Sequence, residues 1–186
     1  MRALVWMLAA LASVPIAAQA QVQPEIRPFV GAFIPTGNQR EVFKDALMTG
    51  GQMAVEVNEQ FHLVGMFAFS NPKFKAQVPG SDHIRAYQSD VGAELFRRVD
   101  LENDWTFRPF VGIGGGVRTF DPSGSAKAKH YAAGYGALGA EMQLNRFALR
   151  LETRDYLMNF KGISGGEKSS VRNEIAISAG IAYHLR

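Results

Sequence analysis

Residues 147–156 read FALRLETRDY, and the two faces of this stretch differ in chemistry. Phe147, Leu149 and Leu151 fall on one parity; Arg150, Glu152 and Arg154 fall on the other. Alternation with a period of two marks a β-strand with one apolar face. A soluble sandwich also buries its oily face, but it does not usually line the opposite face with so regular a row of charge. A membrane barrel inverts the soluble pattern, with oil outside and polar groups inside. The same alternation recurs along the chain.

Working outward from that stretch gives eight strand candidates, at about 26–35, 50–57, 61–70, 85–96, 105–118, 131–144, 147–160 and 172–185. The connections alternate in length. Asn58–Gln60 and Asn145–Arg146 are very short, and Arg97–Asp104 is intermediate. The others, PTGNQREVFKDALM, NPKFKAQVPGSDHI, TFDPSGSAKAKH and KGISGGEKSSV, are long and rich in Gly, Pro, Ser and Lys. Short turns at one end and long loops at the other suit a bacterial outer-membrane barrel. Strands of about ten residues are long enough to cross a bilayer when tilted. The expected fold is therefore all-β: an eight-stranded antiparallel up-and-down transmembrane barrel with both termini at the short-turn end. The pentapeptide RPFVG occurs at 27–31 and again at 108–112, on the first and fifth strands, half a barrel apart.

The amino terminus reads as an export signal. Arg2 supplies a positive start, Leu4 to Ala18 is apolar, and Ala18-Gln19-Ala20 fits a small-x-small cleavage site. The run is shorter than the roughly 20 residues a spanning helix needs, which disfavours an anchor. The expected organisation is a signal peptide over 1–20 and one barrel domain over 21–186, located in the outer membrane. There are no cysteines, which excludes disulfides, thiolate metal sites and a cysteine nucleophile. The net charge of +3 is too small to argue for nucleic acid.

The outward parity contains Met53, Val55 and Val57; Phe61, Leu63 and Phe67; Val91, Ala93 and Leu95; Val111, Ile113 and Val117; Leu138, Met142 and Leu144; and Ile175, Ile177, Ile181 and Tyr183. None of these is charged, as lipid exposure demands. Phe61, Trp105, Phe107, Phe147 and Tyr183 gather at the predicted short-turn end and would form an interfacial aromatic girdle. The inward parity carries Glu56, Asp90, Glu94, Glu141, Glu152 and Glu174 against Arg27, Arg108, Arg118, Arg150 and Arg154. Near balance of sign suggests pairing. An eight-stranded barrel is just wide enough for side chains to fill it, so these charges are expected to plug the lumen. Folding about the short turns sets Glu141 opposite Arg150 and Glu56 opposite His62. Folding about 97–104 can set Glu94 opposite Arg108. Opposite charges on neighbouring strands are the expected unit of support.

Other motifs carry little chemistry. GIGGGV at 112–117 lacks the following helix and acid of a dinucleotide fingerprint, and its glycines suit close packing, with Tyr135 placed to lie across them. GISGGEKSS at 162–170 has Glu167 where a P-loop needs glycine. His62, His83, His130 and His184 show no metal-ligand spacing, and Ser70, Ser89 and Ser178 have no G-x-S-x-G setting. No cofactor, metal or catalytic residue is expected. Lys73, Lys75, Arg85, Lys127, Lys129, Lys161, Lys168 and Arg172 lie in or beside the long loops and could contact lipopolysaccharide phosphates.

LRLETRDY at 149–156 and RNEIAISAGIAYHLR at 172–186 resemble the charged penultimate strand and the alternating closing strand of small outer-membrane barrels of the OmpA–OmpX type. Such barrels usually end on an aromatic; this chain ends Tyr183-His184-Leu185-Arg186. The resemblance implies insertion by the barrel assembly machinery into outer-membrane lipid, with no active site carried over and a monomer expected. The leading reading of function is a non-enzymatic integral barrel whose role is structural, or adhesive through the loops. A lipid-modifying barrel hydrolase or acyltransferase, a narrow pore and a soluble carrier with inverted parity are the alternatives.

Overall fold

The computed structural model describes residues 23–36, 40, 43–78, 81–122, 128–160 and 170–185. The expected signal peptide therefore lies outside the described residues. Ten strands are assigned in chain order: β1 (Gln23–Pro35), β2 (Ala46–Asn58), β3 (Phe61–Ser70), β4 (Lys73–Val78), β5 (Ser81–Phe96), β6 (Val99–Asp100), β7 (Trp105–Pro122), β8 (Lys129–Leu144), β9 (Phe147–Phe160) and β10 (Ser170–His184). Eight long strands form the wall, and every pairing is antiparallel. The short β4 folds back on β5, and β6 on β7.

The sheet closes because β1 pairs with both β2 and β10. Closure leaves no long edge strand, which is what allows a sheet to sit in lipid. The hydrogen-bonded partners can be followed once round the wall, from Glu25 through Ala54, Val64, Gly92, Gly114, Tyr135, Tyr156 and Glu174. The path returns to β1 at Pro35, ten residues above its start. Such a stagger forces the strands to tilt, by about 35–45° in barrels of this kind. The outer ends of β1 and β10 lie with the short turns, because β1 leaves that end at Gln23 and β10 returns to it with His184 beside Glu25.

Two of the turns explain their own residues. Asn145 has φ 55° in the two-residue link between Leu144 and Phe147, a conformation that asparagine tolerates better than most residues. Asn103 and Asp104 have φ 56° and 61°, the mark of a type I′ hairpin. That second turn corrects one expectation. The segment 97–104 is no simple connection: β6 pairs back on β7, and the chain reverses at Asn103–Asp104. The register follows this turn, so Glu94 stands opposite Gly112 and not Arg108. Arg108 stands opposite Glu141 on β8 instead.

The faces divide by chemistry. Ile113, Leu151, Leu149, Leu138 and Val91 are exposed on the outside, while their alternate neighbours point into the lumen. Asp155 also faces outward and is exposed, on the same parity as Leu149 and Leu151. Among the described residues no helix is long and apolar enough to cross a membrane, which says nothing about a barrel.

Candidate functional site

The lumen has two tiers. The tier toward the short turns is ionic. Arg27, on β1, donates to Glu25 (2.6 Å) and to Glu94 across the lumen (2.7 Å), and lies 3.7 Å from Glu141. Arg150, on β9, reaches Glu141 and Glu94, each at 2.5 Å, and Glu152 at 3.1 Å. Arg154 pairs with Glu152 and lies 3.4 Å from Asp90. Glu94 thus gathers guanidinium groups from β1 and β9, which no single hairpin could bring together. The planar forks suit such shared recognition, and their faces rest on rings: Arg150 over Phe110 at 3.8 Å and Arg154 over Tyr135 at 4.5 Å.

The two copies of the RPFVG repeat converge here. Arg27 Nη2 lies 3.2 Å from His62 Nδ1, and Arg108 Nη2 lies 3.0 Å from His62 Nε2. Strands half a barrel apart therefore clamp one imidazole, which also packs on Phe96 with ring centroids 4.4 Å apart. Glu56 stands opposite His62 in register, its carboxylate 3.9 Å from His62 Nε2, at the more open mouth.

Farther from the short turns, Asp90 accepts from the Tyr156 hydroxyl and from Gln88, each at 2.6 Å. Arg118 bonds Gln88, lies 3.1 Å from Glu174 and stacks on Tyr156 at 3.9 Å. Above this the lumen becomes apolar. Phe33, Met48, Ile84, Phe120 and Met158 are buried there, joined by Phe43 from the first long connection. Phe43 is fully buried and stacks on Phe120, with centroids 5.8 Å apart and planes within 4°.

The ten residues singled out from the sequence, Glu56, His62, Asp90, Glu94, Arg108, Glu141, Arg150, Glu152, Arg154 and Glu174, all lie on the inner face. Nine are buried and Glu56 is partly open at the mouth. Sequence reasoning missed Glu25, which shares the parity of Arg27 but precedes the expected start of its strand. It also missed the uncharged partners Gln52, Gln88 and Tyr156, and the phenylalanine plug. Gln52 donates to Glu152 at 2.8 Å. The five girdle candidates, Phe61, Trp105, Phe107, Phe147 and Tyr183, all lie at strand ends beside the short turns, and Phe147 packs on Tyr183 at 5.0 Å. On the same side Arg98 donates to Asp100 at 2.8 Å, which holds the Asp100 carboxyl below its ordinary range.

Little here looks like chemistry. Among the described residues no cluster of His, Asp or Glu is placed to hold a metal ion. One hydroxyl–imidazole pair sits toward the loop end, Thr119 with His130 at 2.8 Å. A hydrolase would need a carboxylate behind the imidazole. The nearby Asp121 is instead engaged by Arg85 at 2.8 Å. Of the loop cations, Lys127, Lys161 and Lys168 lie outside the described residues, and only the backbone of Lys75 and Arg172 is described.

No protein-family model matches the chain, and no curated protein sequence matches it. Solved structures do. The crystal structure of Neisserial surface protein A superposes with a TM-score of 0.60 at 10% identity, covering 87% of this chain and 97% of that one. The attachment invasion locus protein Ail of Yersinia pestis gives 0.49 at 13% identity, over 88% and 98% of the two chains. The N-terminal β-barrel domain of Pseudomonas aeruginosa OprF gives 0.49 at 16%, over 89% and 100%. At these identities the likeness is one of fold. With the closed, outward-apolar wall described above, the likeness to Neisserial surface protein A supports an eight-stranded antiparallel barrel fold for this chain.

Proposed function

We infer that the chain is a non-enzymatic integral outer-membrane barrel, exported by a signal over residues 1–20, acting as a structural element and through its long loops as an adhesive or interaction surface. The observation that carries this reading is the opposition of the two faces: a belt of exposed Val, Leu, Ile and Phe outside, and interlocked carboxylates and guanidinium groups inside. A soluble protein exposing so continuous an apolar surface would aggregate, and a carrier would need an apolar lumen facing its cargo. The girdle of Phe61, Trp105, Phe107, Phe147 and Tyr183 would mark the inner interface, and the loop cations would meet lipopolysaccharide phosphates. The folded wall has no unpaired long edge, which favours a monomer inserted by the barrel assembly machinery.

Among the described residues the lumen is packed with paired charge below and phenylalanine above, so conductance in planar bilayers is expected at background. The decisive test is fractionation with gel migration. The protein should be recovered in outer membranes and should run at different apparent mass before and after boiling in detergent. Recovery from the soluble periplasmic fraction, or a single heat-independent band, would overturn the assignment.

A further inference from the structure

The outer wall is not uniformly smooth. At the short-turn end of β7–β10 a groove of ≈ 680 Å³ runs between Trp105 and Phe147, floored by Met142, Leu144, Leu149 and Ile181, with Arg146 on its rim. A second hollow of ≈ 460 Å³ adjoins it, sharing Trp105 and Met142 and edged by Glu102. Arg146 and Glu102 are both exposed, and neither has an ion-pair partner among the described residues. An exposed cation and an exposed anion thus flank one indole, at the level where the apolar wall ends, and Arg146 also borders the polar hollow at the lumen mouth with Glu56 and Glu59.

We propose that this double hollow holds one phospholipid with a primary-amine headgroup, its phosphate on Arg146, its ammonium on Glu102 and an acyl chain along Met142, Leu149 and Ile181. Charge complementarity selects this occupant. Arg146 alone would accept any phosphate, but the adjacent carboxylate favours a headgroup that also carries a compact, hydrogen-bonding cation. A quaternary ammonium has no N–H to donate, and a purely anionic headgroup leaves Glu102 repelled. Trp105 suits the position, since indole rings favour the headgroup level of membranes. The proposal rests on the membrane reading above and deepens it by naming a specific lipid contact.

The chain has two tryptophans, Trp6 and Trp105. In the full chain carrying Trp6→Phe, Trp105 becomes the sole intrinsic reporter. The experiment is to refold this protein into phosphatidylcholine vesicles with a small fraction of acyl-brominated lipid bearing an ethanolamine, choline or glycerol headgroup, and to measure Trp105 quenching. The one exposed contact that differs between them, the ammonium on Glu102, predicts a preference for the brominated ethanolamine lipid of about two- to fivefold over the choline lipid. Arg146→Gln should weaken quenching by all three lipids, and Glu102→Gln should remove the advantage of ethanolamine over both choline and glycerol. Equal quenching by all three headgroups, a preference that survives Glu102→Gln, or quenching unchanged by Arg146→Gln would overturn the lipid site while leaving the membrane barrel intact. Absence of quenching by every brominated lipid would overturn the membrane reading, and the site with it.

Discussion

Arg27 and Glu94 meet across the lumen at 2.7 Å, from strands 67 residues apart in sequence. No turn brings them together; only closure of the wall does. The same carboxylate also takes Arg150 from β9 at 2.5 Å, so Glu94 ties three parts of the wall to one another. A contact of this kind cannot form before the barrel has closed.

The pair Glu141–Arg150 differs, because its register is set locally by the Asn145–Arg146 turn. Removing one member of a buried pair typically costs about 3–5 kcal/mol. Arg150→Ala should cost toward the lower end of that range in urea unfolding, since Glu94 keeps Arg27, Glu152 keeps Arg154, and Glu141 keeps Arg27 and Arg108 at 3.7 Å. Glu141→Ala should cost less, because Arg150 keeps two other acids. The double variant should lose less than the two singles combined. Strict additivity would show that the two residues do not interact, and would reopen a transport role for the inward carboxylates.

The tight turns offer a second check. Asn103, Asp104 and Asn145 hold φ between 55° and 61°. A β-branched residue pays about 1–2 kcal/mol in this region, and glycine pays none of it. Asn145→Val should therefore slow refolding and lower stability by about that amount. Asn145→Gly should be neutral or mildly stabilising. If valine were tolerated as well as glycine, the two-residue hairpin would not be what fixes the Glu141–Arg150 register.

The strands, their faces and the hairpin neighbours were legible in the sequence because each depends only on local alternation and on a short turn. FALRLETRDY reveals its two faces without reference to any other strand. Glu94 was assigned the wrong neighbour because 97–104 hides a turn of its own at Asn103–Asp104, and a strand's register follows the actual point of reversal. The contact Arg27–Glu94 depends on closure of the wall, and Arg108–His62 bridges two strands separated by β5, beyond the reach of any single hairpin. Phe43 was unreadable for another reason: it sits in an irregular connection, where burial leaves no periodic trace.

Glycines on β7 and β8 separate packing from mere strand chemistry. A Cβ on Gly114 would lie 2.4 Å from the Val91 carbonyl oxygen and 2.6 Å from the Tyr135 ring, whereas one on Gly136 meets nothing within 4 Å. Gly114→Ala should destabilise by about 1–3 kcal/mol through overpacking, and should displace Tyr135 from beneath Arg154. Gly136→Ala should be neutral or stabilise by up to about 1 kcal/mol, because alanine restricts the unfolded chain more. Equal effects at the two sites, by thermal or urea melts, would contradict the inward placement of Tyr135.

Asp155 provides a test of where the membrane sits. It faces outward, opposite Ile175 on β10 and the bare backbone of Gly136 on β8, with no partner among the described residues. It lies eight residues beyond Phe147 along β9. At a rise of about 3.3 Å per residue and a tilt near 40°, that is about 20 Å above the aromatic girdle. The apolar band of such barrels is about 25 Å tall, so the carboxylate falls just inside its loop-end edge. Lipid-facing carboxylates cost less than lysine or arginine, and the cost fades toward the interface. Asp155→Leu should therefore stabilise the protein in vesicles by about 1 kcal/mol and do nothing in a soft detergent micelle. A loss of stability in vesicles would mean that this carboxylate is held by a partner at the outer face, and that the band must be drawn below it.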